Sequence, residues 1–544
     1  MNATADRPVQ VVWFKRDLRV ADHAPLVEAA AVGPVLGWYL YEPELLRSPE
    51  WDPIHSRFIE ESLRGLEAEL ATRGVRLITR LGEAVEELER LRREVGFLGL
   101  WSHEETGNRL TFDRDVRVGR WCRAQGVRWV EVRQDGVVRR LRDRNGWAER
   151  WNRTMGAPLV AAPGAILGAR VPGLASAGLR GPRELGLGEG GGRGLQPGGE
   201  REAREVLAGF LAGRGVGYRT DMSSPVTAWA GCSRLSPYLA WGCVSLRTVH
   251  QAATARVESL RLERTSGVDV DGRWWGSLNS FQARLRWHCH FLQKLEDEPR
   301  IEFENFCRAY DGLREPFADT AEGQARLGAW REGRTGFPMV DACLRAVRAT
   351  GWLNFRMRAM VMSFASYALW LPWRPTAIHL ARCFLDFEPG IHFSQAQMQS
   401  GTTGINTLRI YSPAKQVVDH DPRGVFIRRW VPELAGVPDA LLPAPERMSL
   451  DQQGQAGCVL GVDYPRPVVD FRRATAEAKE RMYAVRRGAE ARAEARQVYL
   501  RHGSRKGGRH RGAEADTRLR EALGDGPDAS AGPGQEWVQR ELFG

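Results

Sequence analysis

The chain has 544 residues and carries 78 Lys and Arg against 67 Asp and Glu, a formal net charge of +11. That length allows two to four domains and a large buried core, and 43% hydrophobic with 27% charged residues excludes a disordered chain. No uncharged apolar run approaches the ~20 residues that span a bilayer, and the amino-terminal residues lack the basic-then-apolar layout of a signal peptide, so a cytoplasmic protein without membrane partners is expected.

Residues 9–14 (VQVVWF) form an apolar run of the kind buried on both faces of a sheet, and 35–41, 75–79, 97–101 and 127–132 read similarly. Between them lie helical patterns: 54–73, with Phe58, Leu63, Leu66 and Leu70 near the 3.6-residue repeat, and 83–95. This alternation predicts an α/β domain with a doubly wound parallel sheet over residues 1–135. No GxGxxG follows the first strand, so dinucleotide binding is not expected there. A connector follows over 136–205, its Gly-rich part from 164 to 199 (including GEGGGRGLQPGG) flexible or loosely packed by composition. Helical patterning then dominates 206–465, an all-α domain. The tail, 466–544, reads as a helix over about 471–500, a basic patch at 502–511 and a disordered end.

Eight cysteines with no CxxC pair exclude a disulfide scaffold and a zinc ribbon. Reduced buried thiols are the main reading, an iron–sulfur cluster from scattered ligands the lesser one, and no other metal is expected. The positive charge is a prior for a polyanionic partner. Nineteen tryptophans fit core packing, stacking on planar ligands or electron movement alike.

Three segments could carry chemistry. In 280–294 (SFQARLRWHCHFLQK) a helix would place Phe281, Arg284, Trp287 or His288, and Phe291 along one face. An aromatic–cation–aromatic stripe suits a planar anionic ligand or a flipped base, set against a plain helix whose arginines reach solvent. His288 and His290 point to different faces, which favours structural histidines over a metal pair. In 231–247, Cys232, Ser233 and Ser236 precede an apolar helix start whose N–H groups could hold a phosphate, set against ordinary capping. In 330–400, Arg345, Arg356 and Arg358 precede Asp386 and Glu388, an arrangement suited to an Arg–carboxylate pair beside a ligand or to a surface ion pair worth little.

Together these segments resemble the photolyase and cryptochrome family. VVWFKRDLRVADHAPL is similar to the family's opening strand and loop, CSRLSPYLAWGCVSLR to the segment that wraps the FAD phosphates, GRTGFPMVDACLRAVRATGWLNFRMR to its GxTGxPxVDA…GWxHNRxR stretch, and RIYSPAKQVVDHDPRGVFIRRWVPEL to its close, in family order over about 11–434. The resemblance implies an α/β domain, a connector and an all-helical domain holding FAD in a U-shaped conformation. It places Tyr218, Cys232, Ser233, Arg234, Leu235 and Ser236 at flavin-phosphate positions, with Cys232 in place of the usual Thr, and Phe281 and Arg284 in the cofactor site. It sets Arg358 over the flavin, paired with a carboxylate, and Asp386 and Glu388 near the ribityl chain and ring. Its implied partner is UV-damaged DNA with a pyrimidine dimer flipped onto Trp287, Arg428 and Arg429 lying near the rim. Trp373 matches the middle member of the family's electron-transfer chain, and Trp352 and Trp370 are substitutes for the missing members. For an antenna chromophore of folate or deazaflavin type the α/β domain would offer a cleft, with no residue selecting either.

The sequence departs from the family at several points. The carboxylate that touches the dimer is here Arg284, which cannot accept a hydrogen bond from a thymine N–H. Leu353-Asn354-Phe355 shifts or loses the Asn of GWxHN, and GIHFSQAQ (390–397) replaces the family's Trp-bearing run near the flavin N5, which leaves open the residue beside N5. No His pair follows Gly351-Trp352, which argues against (6-4) photoproduct repair, although His288 or His392 could substitute as general acid. The leading expectation is a monomeric deoxyribodipyrimidine photolyase. The alternatives are a cryptochrome-like photoreceptor signalling through its tail, and a flavoprotein that has lost its photochemistry.

Overall fold

In the computed structural model, residues 7–192 and 194–503 are described; the basic patch and disordered end expected beyond 503 lie outside them. The chain opens with β1 (Gln10–Phe14), α1 (Ala24–Val32), β2 (Val35–Tyr41), α2 (Pro53–Thr72), β3 (Leu77–Leu81), α3 (Ala84–Val95), β4 (Gly99–His103), α4 (Arg109–Gln125) and β5 (Arg128–Val132). The five strands are all parallel, in the order β3-β2-β1-β4-β5. Val12 aligns with Gly37 on one side and Trp101 on the other. Every residue of β1, β2 and β4 is buried, which is why these strands read as unbroken apolar runs, while edge strand β5 is half exposed. β3 and β4 each start two residues later than their apolar runs. Left-handed turns at Gly74 and Gly96 end the preceding helices and take up the first residues of each run.

In such a sheet the strand order reverses between β1 and β4, and ligands characteristically bind outside the carboxyl ends of the strands there. In this protein side chains occupy part of that crevice, and beside them lies a small cavity lined by Arg16, Arg19, Glu105, Gln134 and Asp135. Arg114 pairs with Glu42 (2.6 Å), Glu105 (2.5 Å) and Asp115 (2.9 Å), and Lys15 with Asp115 (3.2 Å). Lys15 and Arg114 also stack over Trp13, at 5.1 and 4.9 Å. Beside them, buried Asp17 accepts hydrogen bonds at one carboxylate oxygen from His23 Nε2 (3.0 Å) and His103 Nδ1 (2.8 Å). His23 Nδ1 accepts from Leu26 N–H, so Nε2 carries the ring proton.

After α5 (Trp147–Gly156) the described residues of the connector carry no helix until α6 (Glu200–Ala212), but the connector does not run free as its composition leads one to expect. Gly168 bridges Val35, Ala177 N–H donates to Thr79 O at 2.8 Å, and Leu174 is buried. The rest is helical: α7 (Leu246–Thr265), α8 (Arg273–Asp297), α9 (Ala321–Glu332), α10 (Pro338–Thr350), α11 (Phe355–Ser363), α12 (Trp373–Cys383), α13 (Pro389–Ser400), α14 (Pro413–His420), α15 (Phe471–Arg486) and α16 (Ala489–His502), with shorter helices between them. One hydrophobic cluster runs through both halves, joining Phe14, Tyr39 and Leu63 to Tyr218, Phe281 and Leu385.

The two halves are pinned by polar contacts from the loop after β1. Asp22 accepts from Ser245 Oγ (2.6 Å) and Arg247 Nε (3.0 Å). Fully buried Arg19 donates to Gly242 O at 2.9 Å. Gly242 has φ of +66°, and a Cβ there would lie 2.1 Å from Arg16 O, so the approach admits only glycine. No helix among the described residues is long and apolar enough to cross a membrane.

Candidate functional site

A cavity of about 280 Å³ opens in the helical half. One end is formed by the turn carrying Cys232, Ser233, Arg234 and Ser236, with Tyr218 beside it; the other by Asp386, Glu388 and α13. Residues 150 apart in sequence meet here because α8 and α13 cross closely: a Cβ at Gly390 would lie 2.8 Å from Leu292 Cα. Arg358 on α11 makes a two-pronged pair with Asp386, at 3.0 and 2.7 Å, and lies over the Phe384 ring at 3.9 Å. That pairing fixes the orientation of a carboxylate on the cavity wall.

At the other end, Arg234 adopts a left-handed backbone (φ +60°), and its guanidinium lies over Trp229 at 3.4 Å and Trp352 at 4.3 Å. It also donates to Gln196 Oε1 at 2.7 Å, and burial brings its pKa down to about 10. Burial likewise pushes the Cys232 thiol up to about 12, so this residue meets a ligand as a neutral thiol. Ser236 opens a helix of only five residues, without a side-chain cap. Any phosphate at this turn therefore relies on loop N–H groups and hydroxyls rather than on a long helix dipole.

Of the residues expected from sequence, Tyr218, Cys232, Ser233, Arg234, Ser236, Arg284, Arg358, Asp386, Glu388 and Trp352 line the cavity. Leu235 and Phe281 do not: both are buried in the core, Phe281 packed on Tyr218 with ring centroids 5.7 Å apart. Trp287 is half-buried and packs on His290 (5.0 Å) and Phe291 (5.7 Å), outside the cavity lining. The helical repeat accounts for this, since Arg284 and His288, four residues apart, share the inward face and Trp287 is turned off it. Arg428 is tied back to Asp439 (2.6 Å) and Val437 O (2.7 Å), and Arg429 lies over Trp430 (5.4 Å); neither lines the cavity.

Among the tryptophans, Trp352 lies 5.9 Å from Trp229, which is 44% exposed, so these two rings join the cavity to the surface. Trp373 is buried, donates to Asn305 Oδ1 at 2.8 Å and meets Phe393 at 6.2 Å, one aromatic layer behind cavity-lining Phe387. Trp370 lies between Arg314 (4.8 Å) and Arg481 (4.9 Å), in a separate cluster with Tyr367.

Sequence reasoning passed over Gln395 and Gln399 and the pairing of His288 with Glu388 (3.0 Å). The signal for the glutamines was their four-residue spacing on α13, with Ala396 beside Gln395. Gln399 Nε2 and Oε1, and Gln395 Oε1, are buried on this cavity without a hydrogen-bond partner in the protein. Leaving a buried amide unsatisfied costs about 1–3 kcal/mol, so these groups fit a ligand that presents its own donors and acceptors, as the heteroatoms of FAD do. His392 donates to or accepts from nothing in the cavity: Nε2 meets Ala377 O at 2.7 Å, and burial brings its pKa down to about 4.

Residues 10–143 match the family model described as DNA photolyase, and residues 281–484 the one described as the FAD binding domain of DNA photolyase. The chain is 30% identical over 492 residues to a deoxyribodipyrimidine photo-lyase of Streptomyces griseus, covering 86% of this chain and 98% of that protein. It is 28% identical over 509 residues to a cryptochrome DASH of Gloeobacter violaceus, covering 87% and 95%. The fold also superposes on a bacterial class III photolyase from Agrobacterium tumefaciens, with a TM-score of 0.75 at 24% identity, covering 89% and 98%. The parallel sheet, the helical domain matching an FAD-binding domain and a relative aligned over nearly its whole length place the chain in the photolyase and cryptochrome family.

Proposed function

We propose that this protein is a light-driven DNA repair enzyme, a deoxyribodipyrimidine photolyase that splits cyclobutane pyrimidine dimers. The observation that supports it is the meeting, on one cavity, of the phosphate-type turn (Cys232, Ser233, Ser236) and the paired Arg358–Asp386 with Glu388, in a chain that aligns over nearly the whole length of a deoxyribodipyrimidine photo-lyase. FAD, when bound and photoexcited in its reduced form, supplies the electron that opens a dimer and takes it back. The protein's part is to hold FAD between the two ends of the cavity, with Tyr218 and Arg284 on its walls, and to shield the site from water with Met362, Phe384 and Phe387.

Damaged DNA is then the partner, bound through positive charge at a monomer's surface. Exposed Trp229, next to Trp352, gives a route by which cavity electrons are replenished. The decisive experiment is blue-light repair of an oligonucleotide with one defined cyclobutane dimer by the photoreduced, FAD-loaded protein, with a dark control. Restored thymine absorbance is the expected result; none, with FAD fully reduced, refutes the proposal.

A second reading, a cryptochrome-like photoreceptor, is favoured by one specific geometry. Arg284 lines the cavity where the family has a carboxylate, and Trp287 is turned away from it. A light-dependent change in protease sensitivity of the tail, without repair, would support that reading.

A further inference from the structure

Behind the α8–α13 wall of the FAD cavity lies a second, smaller cavity at the junction of the two halves. Its polar lining includes Arg16 and Arg19 from the loop after β1, and Gln134 and Asp135 beyond β5, beside apolar residues such as Leu239 and Leu292. The polar groups are held in place. Arg16 donates to Phe387 O at 3.1 Å and stacks over Trp241 at 4.4 Å, and Gln134 donates to Arg16 O at 3.0 Å. The cavity measures about 40 Å³, room for a few water molecules at the ~10–15 Å³ each requires.

The two cavities have just two lining residues in common, His288 and Glu388. Their side chains lie 3.0 Å apart and are 16% and 13% exposed. Neither ring nitrogen of His288 has a well-aligned hydrogen-bond partner in the protein. The Glu388 contact, made through Nε2, is thus a close ion pair, and both of its members border the two cavities. Nothing in phosphate or ring binding calls for a histidine in this partition, but a group passing protons does.

We propose that His288, held by Glu388, relays protons from the interdomain cavity to the ligand in the FAD cavity. The proposal rests on the FAD reading above. In each passage one proton moves. Once a thiol donor had supplied an electron under light, His288 would give its proton to the ligand in the FAD cavity as the imidazolium N–H bond breaks. The neutral imidazole then regains a proton from water in the interdomain cavity, which borders Asp135. The groups facing His288 are Glu388 at the amino end of α13, Asp135 beyond β5, neighbouring Cys289 and, one turn earlier, Arg284, while Arg16 faces Glu388 from the far side. Burial alone would lower the His288 pKa, but Glu388, with neighbouring Cys289, outweighs it and holds the ring above its ordinary range.

The test uses full-length, FAD-loaded protein in weakly buffered solution with a thiol donor. After a blue-light pulse, flavin absorbance reports reduction and a pH-indicator dye reports proton uptake. In the wild type the two are expected to coincide. In His288→Asn and Glu388→Gln, uptake is expected to lag reduction by tenfold or more, and in Asp135→Asn by a smaller factor. Uptake that keeps pace with reduction in FAD-loaded His288→Asn and Glu388→Gln overturns the relay alone. A wild type that binds no FAD overturns the cofactor reading and the relay with it. Should the variants lose FAD, histidine-selective nitrogen NMR decides. His288 is expected to be protonated at pH 7 in the wild type and neutral in Glu388→Gln. A neutral ring in the wild type, or one unmoved by that substitution, overturns the proposal.

Discussion

Asp386 receives two hydrogen bonds from Arg358 and is itself almost wholly buried, whereas Arg358 is about a quarter exposed. Replacing the carboxylate leaves a partly desolvated guanidinium without its counter-charge, a loss of about 2 kcal/mol. Asp386→Asn is therefore expected to weaken FAD binding roughly 10- to 50-fold by fluorescence titration, while Arg358→Lys, which keeps the charge and loses the fork, falls in between. Arg284 poses the opposite question. It lines the cavity beside Tyr218, whose hydroxyl pKa burial raises and the nearby guanidinium lowers again. Under the repair proposal, Arg284→Glu supplies an acceptor for a thymine N–H, and dimer binding is expected to tighten by about one hydrogen bond to a charged group, roughly tenfold. Unchanged or weaker binding in a gel-shift titration would show that the dimer does not approach this side chain.

At the scale of elements, α13 and the Gly242 turn position the site. α13 and its cap bring Glu388, His392, Gln395 and Gln399 to the cavity over about three turns, and Gly390 lets the start of the helix lie against α8. Gln399→Leu removes an amide without a protein partner. It is expected to leave the apoprotein as stable or more so in urea denaturation, and to loosen FAD several-fold; a purely structural glutamine would show the reverse. At Gly242 a side chain meets backbone rather than a flexible neighbour. Gly242→Ala thus combines left-handed strain with a clash against Arg16 O, and a loss of about 2–4 kcal/mol in urea denaturation is expected.

Across the whole molecule, the shared hydrophobic cluster and the Asp22–Arg247 and Arg19–Gly242 contacts make the α/β and helical halves one stability unit. Tryptophan fluorescence and far-ultraviolet circular dichroism are expected to report coincident urea transitions. The same burial makes stability depend on pH. His55 and His392 are held down to about 4 and His103 to about 3, each chiefly by burial. Below pH 6.5 the unfolded chain protonates these rings while the folded protein does not, so each lowers stability by about 1.4 kcal/mol per pH unit as pH falls toward 4. Glu302, raised to about 7 by burial, acts in the opposite sense between pH 7 and 4.5, because only the folded state then holds its proton. With one histidine offset, these three rings contribute a fall of roughly 3 kcal/mol per pH unit between 6 and 4.5, and His379, His420 and His502, also held down to about 4 by burial, steepen the fall expected in urea midpoints; a flat profile would show that these rings are hydrated in solution.

Much of this was legible in sequence because it rests on local pattern. The apolar runs of β1, β2 and β4 follow from burial on both faces, and ten site residues from segments whose spacing is set within single turns. What tertiary structure decided is what faces what. Trp287 and Arg284 are three residues apart on one helix, a spacing compatible with a shared face, and only the crossing with α13 determines that Arg284 and His288 look into the cavity. The Gly-rich connector reads as loose because glycine carries no packing signal, yet hydrogen bonds to the sheet edge hold it. The ion cluster at the switch point gathers charges from four separate segments, and the His288–Glu388 pair joins residues 100 apart, because electrostatic and hydrogen-bond partners are chosen by distance in space, which a period along the chain does not encode.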